Sequence, residues 1–149
     1  MNSSFERDTH PGRPRILFIG PGDSTHTHAW VDLLESEPFN VKLFVLPGHD
    51  PPPDDWKVKT YVTSYHRGPI DRGTRERLTD HSKLRRQVDR YLAYARRQQW
   101  NTRKYSEEWL VEIIRSWQPQ IVHTFSLDAA KFYYQVRQTY GLQNESKWV

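Results

Sequence analysis

The stretch Arg15-Ile16-Leu17-Phe18-Ile19-Gly20-Pro21-Gly22-Asp23-Ser24 decides the fold. Its first half is an unbroken apolar run with no polar alternation. That pattern belongs to a strand buried on both faces, not to one with a wet side. Residues 20–24 then form a tight turn, in which glycine lets the backbone approach a neighbour or a ligand without a Cβ in the way. Trp30, Leu33 and Leu34 follow at i, i+3 and i+4, the spacing of a helical apolar stripe, and Pro38 stops that helix.

Working outward, residues 40–46 read as a second strand, with Val41, Leu43 and Val45 alternating with Lys42 and Phe44. Pro47-Gly48 ends it, and Pro51-Pro52-Pro53 makes a stiff loop. Residues 58–65 alternate and predict a third strand. Ser106 is placed to cap a later helix, with Glu107 and Glu108 in its first turn and Leu110, Ile113, Ile114 and Trp117 as its apolar face. Residues 121–125 form another apolar strand. Ser126 caps a last helix striped by Ala129, Phe132, Tyr133, Val136 and Tyr140, and Gly141 suits its C-terminal stop. Lys147-Trp148-Val149 reads as the first residues of one more strand, so the chain is expected to be the front part of a longer protein. Strands alternating with helices predict the α/β class, a parallel sheet with helices on both faces. Such sheets bind ligands at the carboxyl ends of their strands, beside helix N-termini. Two junctions of that kind stand out, residues 20–28 and 123–128.

Composition narrows the function. The chain has 149 residues, 22 Lys/Arg against 18 Asp/Glu, and 20 aromatic side chains to fill a core. That length suits about one domain. Cysteine is absent, which excludes a disulfide framework, a thiol nucleophile and a Cys-ligated metal, and which suits the cytoplasm. The longest apolar run, residues 16–19, is far short of the roughly 20 residues of a membrane span. Residues 1–14 are polar, carry Pro11, Gly12 and Pro14, and lack the apolar core of a secretory signal; they read as a flexible leader before a domain at 15–149.

The candidate residues each have two readings. Gly20 and Gly22 after a strand make a phosphate site in principle, or simply a tight turn. The dinucleotide fingerprint wants a third Gly or Ala where Thr25 stands, and an acid closing the second strand where Leu46-Pro47 stands, so NAD and FAD are disfavoured. No Lys-Ser/Thr follows the glycines, so there is no P-loop. His26 and His28 are too divergent at i, i+2 for a shared metal, and no carboxylate cluster joins them. His123 is either a satisfied core histidine or a residue at a strand's functional end.

Three segments in order carry a resemblance. Arg15-Ile-Leu-Phe-Ile-Gly20 leads into Ser24-Thr-His-Thr-His-Ala-Trp30, then Val41-Lys-Leu-Phe44; later come residues 110–123, with Trp117-Gln-Pro-Gln-Ile-Val-His123, and Lys147-Trp148-Val149. Together they resemble the N-terminal, acceptor-side domain of GT-B glycosyltransferases of the family 4 type, with the middle third of the chain uncovered. Gln120 stands where that family usually has Asp, and Phe125 where many members have a second His. The resemblance implies an incomplete, Rossmann-like N-terminal domain of a GT-B fold, whose partner domain holds most of the sugar-nucleotide site. It implies transfer of a hexose from a nucleotide-sugar donor, usually with retention, to a glycan or lipid-linked acceptor, as in cell-surface polysaccharide biosynthesis. No obligatory metal or other cofactor is implied. Carried over, Gly20 and Gly22 would border the donor diphosphate, Ser24 and His26 would line the acceptor side, His123 would be the catalytic residue at the cleft floor, and Ser126 and Asp128 would bind substrate at the next helix start.

Residues 67–104 differ in kind, with twelve Lys/Arg against four acids, a net of +8 that leaves the rest of the chain at −4. Leu84, Val88, Tyr91, Leu92 and Ala95 have helical spacing with Arg on the other faces. Such a basic amphipathic segment can rest peripherally on the anionic inner face of a membrane, pack its stripe on the sheet, or hold nucleic acid. The last is disfavoured, because no recognised nucleic-acid fold accompanies it. The alternative to an enzyme is therefore a non-catalytic Rossmann-like module that contacts an anionic membrane or nucleic acid through this segment.

Overall fold

The computed structural model describes residues 7–34, 36–50, 52–53, 55–63 and 102–149. Strands β1 (Arg15–Gly20), β2 (Asn40–Val45), β3 (Lys59–Tyr61), β4 (Ile121–Thr124) and β5 (Lys147–Trp148) form one sheet in the order β3-β2-β1-β4-β5. Every pairing is parallel. Three helices are described: α1 (Thr25–Asp32), α2 (Thr102–Trp117) and α3 (Leu127–Tyr140). The arrangement is a Rossmann-like α/β fold. None of the described helices is long and apolar enough to cross a membrane. The basic segment lies outside the described residues except for 102–104, which open α2.

β1 sits at the centre and is buried on both faces, as its apolar run requires. Leu17 and Ile19 join the core formed with α2 and α3, through Trp109, Leu110, Ile114 and Tyr133. Ile16 and Phe18 join the opposite core with Val31 of α1 and with Leu43 and Val45. Fully burying a side chain of this size contributes about 1.5–3 kcal/mol. α3 follows its sequence signals closely. Ser126 Oγ accepts from the Ala129 amide at 3.1 Å, and Gly141 closes the helix with φ 71°, a left-handed value natural to glycine.

Four expectations need correction. α1 buries Thr27 and Val31, while Trp30 is 51% and Leu33 68% exposed. Thr27 packs over the bare backbone at Gly20, its Oγ1 3.4 Å from the point where a Cβ would stand. α2 starts at Thr102, which puts Ser106 inside the helix and buried instead of at its cap, and Glu107 and Glu108 beyond its first turn. Between these corrections stands Lys42 of β2, which is only 2% exposed. Its ammonium lies 3.1 Å from Tyr61 Oη, to which it donates, and 4.6 Å over the Trp117 ring. Finally, residues 7–14 are fastened to the sheet. Asn40 exchanges hydrogen bonds with the His10 backbone at 2.8 Å each way, and Asp8 accepts from Arg15 Nε at 2.8 Å and Trp117 Nε1 at 3.0 Å. Burial raises the Asp8 pKa, but these donors outweigh it and hold the carboxyl below its usual value. The third strand is also shorter than the 58–65 pattern, spanning Lys59–Tyr61, and residues 64–65 lie outside the described set.

Candidate functional site at the carboxyl edge

The two junctions singled out in the sequence emerge side by side. β1 and β4 are adjacent and parallel, with Phe18 paired to His123 and Ile19 to Thr124. The end of β1 is held from both flanks: the Phe125 amide donates to Ile19 O and the Leu46 amide to Gly20 O, each at 3.1 Å. Gly20 and His123 therefore share the carboxyl edge of the sheet.

Around them lies an aromatic patch on the α1 face. Phe18 and Phe125 stack at 4.9 Å, nearly parallel at 13°. The His123 ring stands edge-on to both, at 5.5 Å from Phe18 and 5.0 Å from Phe125. His123 is half-buried, and that burial lowers its pKa, because an imidazolium loses hydration among rings that cannot replace it. A neutral imidazole offers one donor and one acceptor nitrogen, which suits a hydroxyl group.

Each glycine makes room for the protein's own atoms. A Cβ on Gly20 would meet Phe125 Cδ2 at 3.1 Å, and one on Gly22 would meet Asp50 O at 2.5 Å, Val45 Cγ2 at 2.9 Å and Pro52 Cδ at 3.1 Å. The space beside Gly22 is filled by the chain that follows β2, so its lack of a side chain serves close packing. The Gly22 carbonyl is also engaged. A carbonyl can only accept, so the His28 Nε2–H donates to it, at 2.7 Å.

The remaining candidates separate. Ser24 caps α1, its Oγ accepting from the Thr27 amide at 3.5 Å. Ser126 caps α3, and Asp128 lies exposed in that helix's first turn, whereas α1 has no acid in its first turn. A helix start with a carboxylate disfavours a phosphate but tolerates a sugar hydroxyl; a start without one is the better anion site. His26 and His28 diverge as expected. His26 is exposed with its ring 6.4 Å from Trp30, while His28 packs on Trp56 at 4.5 Å. No group of three or more His, Asp or Glu residues suited to a metal occurs among the described residues.

Sequence reasoning missed Thr27 and the Phe18–Phe125 pair. The Thr27 hydroxyl is buried at the β1–α1 junction with no hydrogen-bond partner among the described residues. Its i, i+4 spacing to Val31 was the available signal. The even spacing of Ile121, His123 and Phe125 on one strand face was the signal for the aromatic patch. Compared with known proteins, the chain matches no family model, no curated protein and no solved structure.

Proposed function

We propose that this chain is the acceptor-side, N-terminal part of a GT-B-type glycosyltransferase that moves a hexose from a nucleotide sugar to a glycan or lipid-linked acceptor. One observation carries the reading: the glycine junction and His123 lie on neighbouring parallel strands at a single sheet edge. In this reading the acid-free first turn of α1 faces the donor diphosphate through its backbone N–H groups. Gly20 and Gly22 shape that turn without cradling the phosphates, since the protein fills the space beside them. The neutral His123 imidazole hydrogen-bonds a sugar hydroxyl, with Ser24 and His26 toward the acceptor and Asp128 beside Ser126 at the second helix start. A second Rossmann-like domain supplies most of the nucleotide site, and residues 1–149 alone do not turn over. Half a cleft forfeits the proximity that contributes roughly 7–11 kcal/mol to such reactions.

The test is a donor screen on the complete gene product with nucleotide sugars and lipid-linked acceptors. Transfer by the wild type, and a loss of about a hundredfold in His123→Ala with little change in Tm, are the expected results. Equal losses of turnover and stability would return His123 to a core role. Binding of anionic vesicles with no transfer from any donor would replace the enzyme reading with the non-catalytic module.

A further inference from the structure

Away from the carboxyl edge, the α1 side of the sheet contains a cavity of about 290 Å³. It lies where the end of α1, the start of β2, the stretch before β3 and residues 9–10 meet. Its floor is apolar, formed by Leu34, Phe39, Val41, Trp56 and Val58, all half-buried against the α1-side core. Its rim is charged and exposed, with Asp32, Glu37 and Asp55 against Lys57. The formal rim charge is −2, in a chain whose overall formal charge is +4.

Trp56 is fixed in place before any ligand arrives. Its Nε1–H donates to Asp32 Oδ1 at 2.7 Å, and its ring lies 4.5 Å from His28, which is itself tied to the Gly22 carbonyl. A pre-positioned indole face costs little entropy to use. The volume lies just under the range of about 300–1,000 Å³ typical of drug-sized ligand cavities, a size for a small molecule.

We infer that this cavity binds a small organic cation, an ammonium group on an aromatic or short aliphatic body. The apolar body lies on the floor against Trp56 and Phe39. The ammonium faces the Glu37 and Asp55 carboxylates and draws on the ring quadrupoles. A neutral molecule of the same shape gains only the apolar contacts, and an anion meets a repulsive rim. This site is independent of the proposed transferase function, because no residue of the carboxyl-edge site lines it.

The experiment titrates the ¹⁵N-labelled chain with phenethylammonium, 2-phenylethanol and 3-phenylpropionate. The indole N–H resonance of Trp56 is assigned by its loss in Trp56→Phe. The expected result is a saturable shift at Trp56 with phenethylammonium, about tenfold weaker binding of the alcohol, and none of the carboxylate. In Glu37→Gln/Asp55→Asn, both exposed positions, the preference for ammonium over alcohol is lost while the melting curve is kept. The inference is overturned by equal binding of ammonium and alcohol, by an unchanged preference in the double variant, or by no saturable shift at Trp56. The last result would also follow if a basic side chain of the protein already filled the cavity, and it would equally exclude a ligand there.

Discussion

The β1–α1 and β4–α3 junctions are built from the same plan and spend it differently. Both follow a strand of the sheet's centre, and both open a helix capped by serine. At the glycine junction the available space is consumed by the protein: Asp50, Pro52 and Val45 crowd Gly22, and Phe125 crowds Gly20 with Thr27 in contact beside it. Its helix has eight residues and a cap contact of 3.5 Å. At the histidine junction the helix has 14 residues and a cap contact of 3.1 Å, and a titratable ring stays half-buried beside it. The lesson is that glycine after a strand has two uses, ligand approach and self-packing, and only the three-dimensional neighbours tell them apart.

The sharpest way to break that contrast is Gly22→Ala. The new methyl would stand 2.5 Å from a backbone oxygen, which cannot swing aside as a side chain can. A loss of about 1–3 kcal/mol in denaturant unfolding is expected, typical of overpacking. Gly20→Ala should cost less, since Phe125 Cδ2 at 3.1 Å belongs to a ring that can tilt. If both substitutions leave stability unchanged, the glycines are not packing residues and the ligand-cradle reading recovers.

Next in size are the caps. Ser126→Ala should cost about 1 kcal/mol, since it removes a well-placed acceptor from a long, core-packed helix. Ser24→Ala should cost nearer the lower limit of about 0.5 kcal/mol, given the longer contact. Equal losses would show that the two starts are held alike.

How much of this was legible beforehand follows from how local each signal is. The double-faced strand at 16–19, the Ser126 cap and the Gly141 stop depend on residues within a few positions of one another, and they stand in the structure as read. The face of α1 that meets the sheet carries Thr27 and Val31, one of them polar, so the periodic Trp30–Leu33 stripe misled. Ser106 looks like a cap only until the helix is seen to begin four residues earlier. The fastening of residues 7–14 joins Asp8 to Trp117, 109 positions away, and no local pattern announces it. In the site, sharing of one edge by Gly20 and His123 was readable from strand order. The filling of the space at Gly22 by Val45, Asp50 and Pro52 was not.

The histidine junction can be sharpened by pH. His123 has a lowered pKa in the folded chain, so the unfolded chain takes up its proton first as pH falls below about 6.5. Folding stability should therefore decline as pH drops from 6.5 toward the folded value, and level off below it. His123→Asn should remove that part of the slope and leave stability above pH 7 little changed. An identical slope in the variant would mean that the ring is hydrated in solution. Tyr133 is the alkaline counterpart on the other face: burial pushes its phenol up to about 12, and its hydroxyl has no hydrogen-bond partner among the described residues. The unfolded tyrosine ionises first above about 10, so stability falls from there toward 12, and Tyr133→Phe should flatten that decline.

The smallest expected effect bears most directly on the comparison. Thr27 keeps a buried hydroxyl with no hydrogen-bond partner among the described residues at the glycine junction, a group that costs free energy wherever it is shielded from water without a hydrogen bond. Thr27→Val keeps the shape and removes that unmet donor and acceptor. If the junction serves packing alone, the variant should be as stable as the wild type or slightly more so, by less than about 1 kcal/mol. A clear loss would mean that the hydroxyl is satisfied in solution, by water or by the chain. The glycine junction would then carry a polar function of its own, and the contrast with His123 would narrow to one of degree.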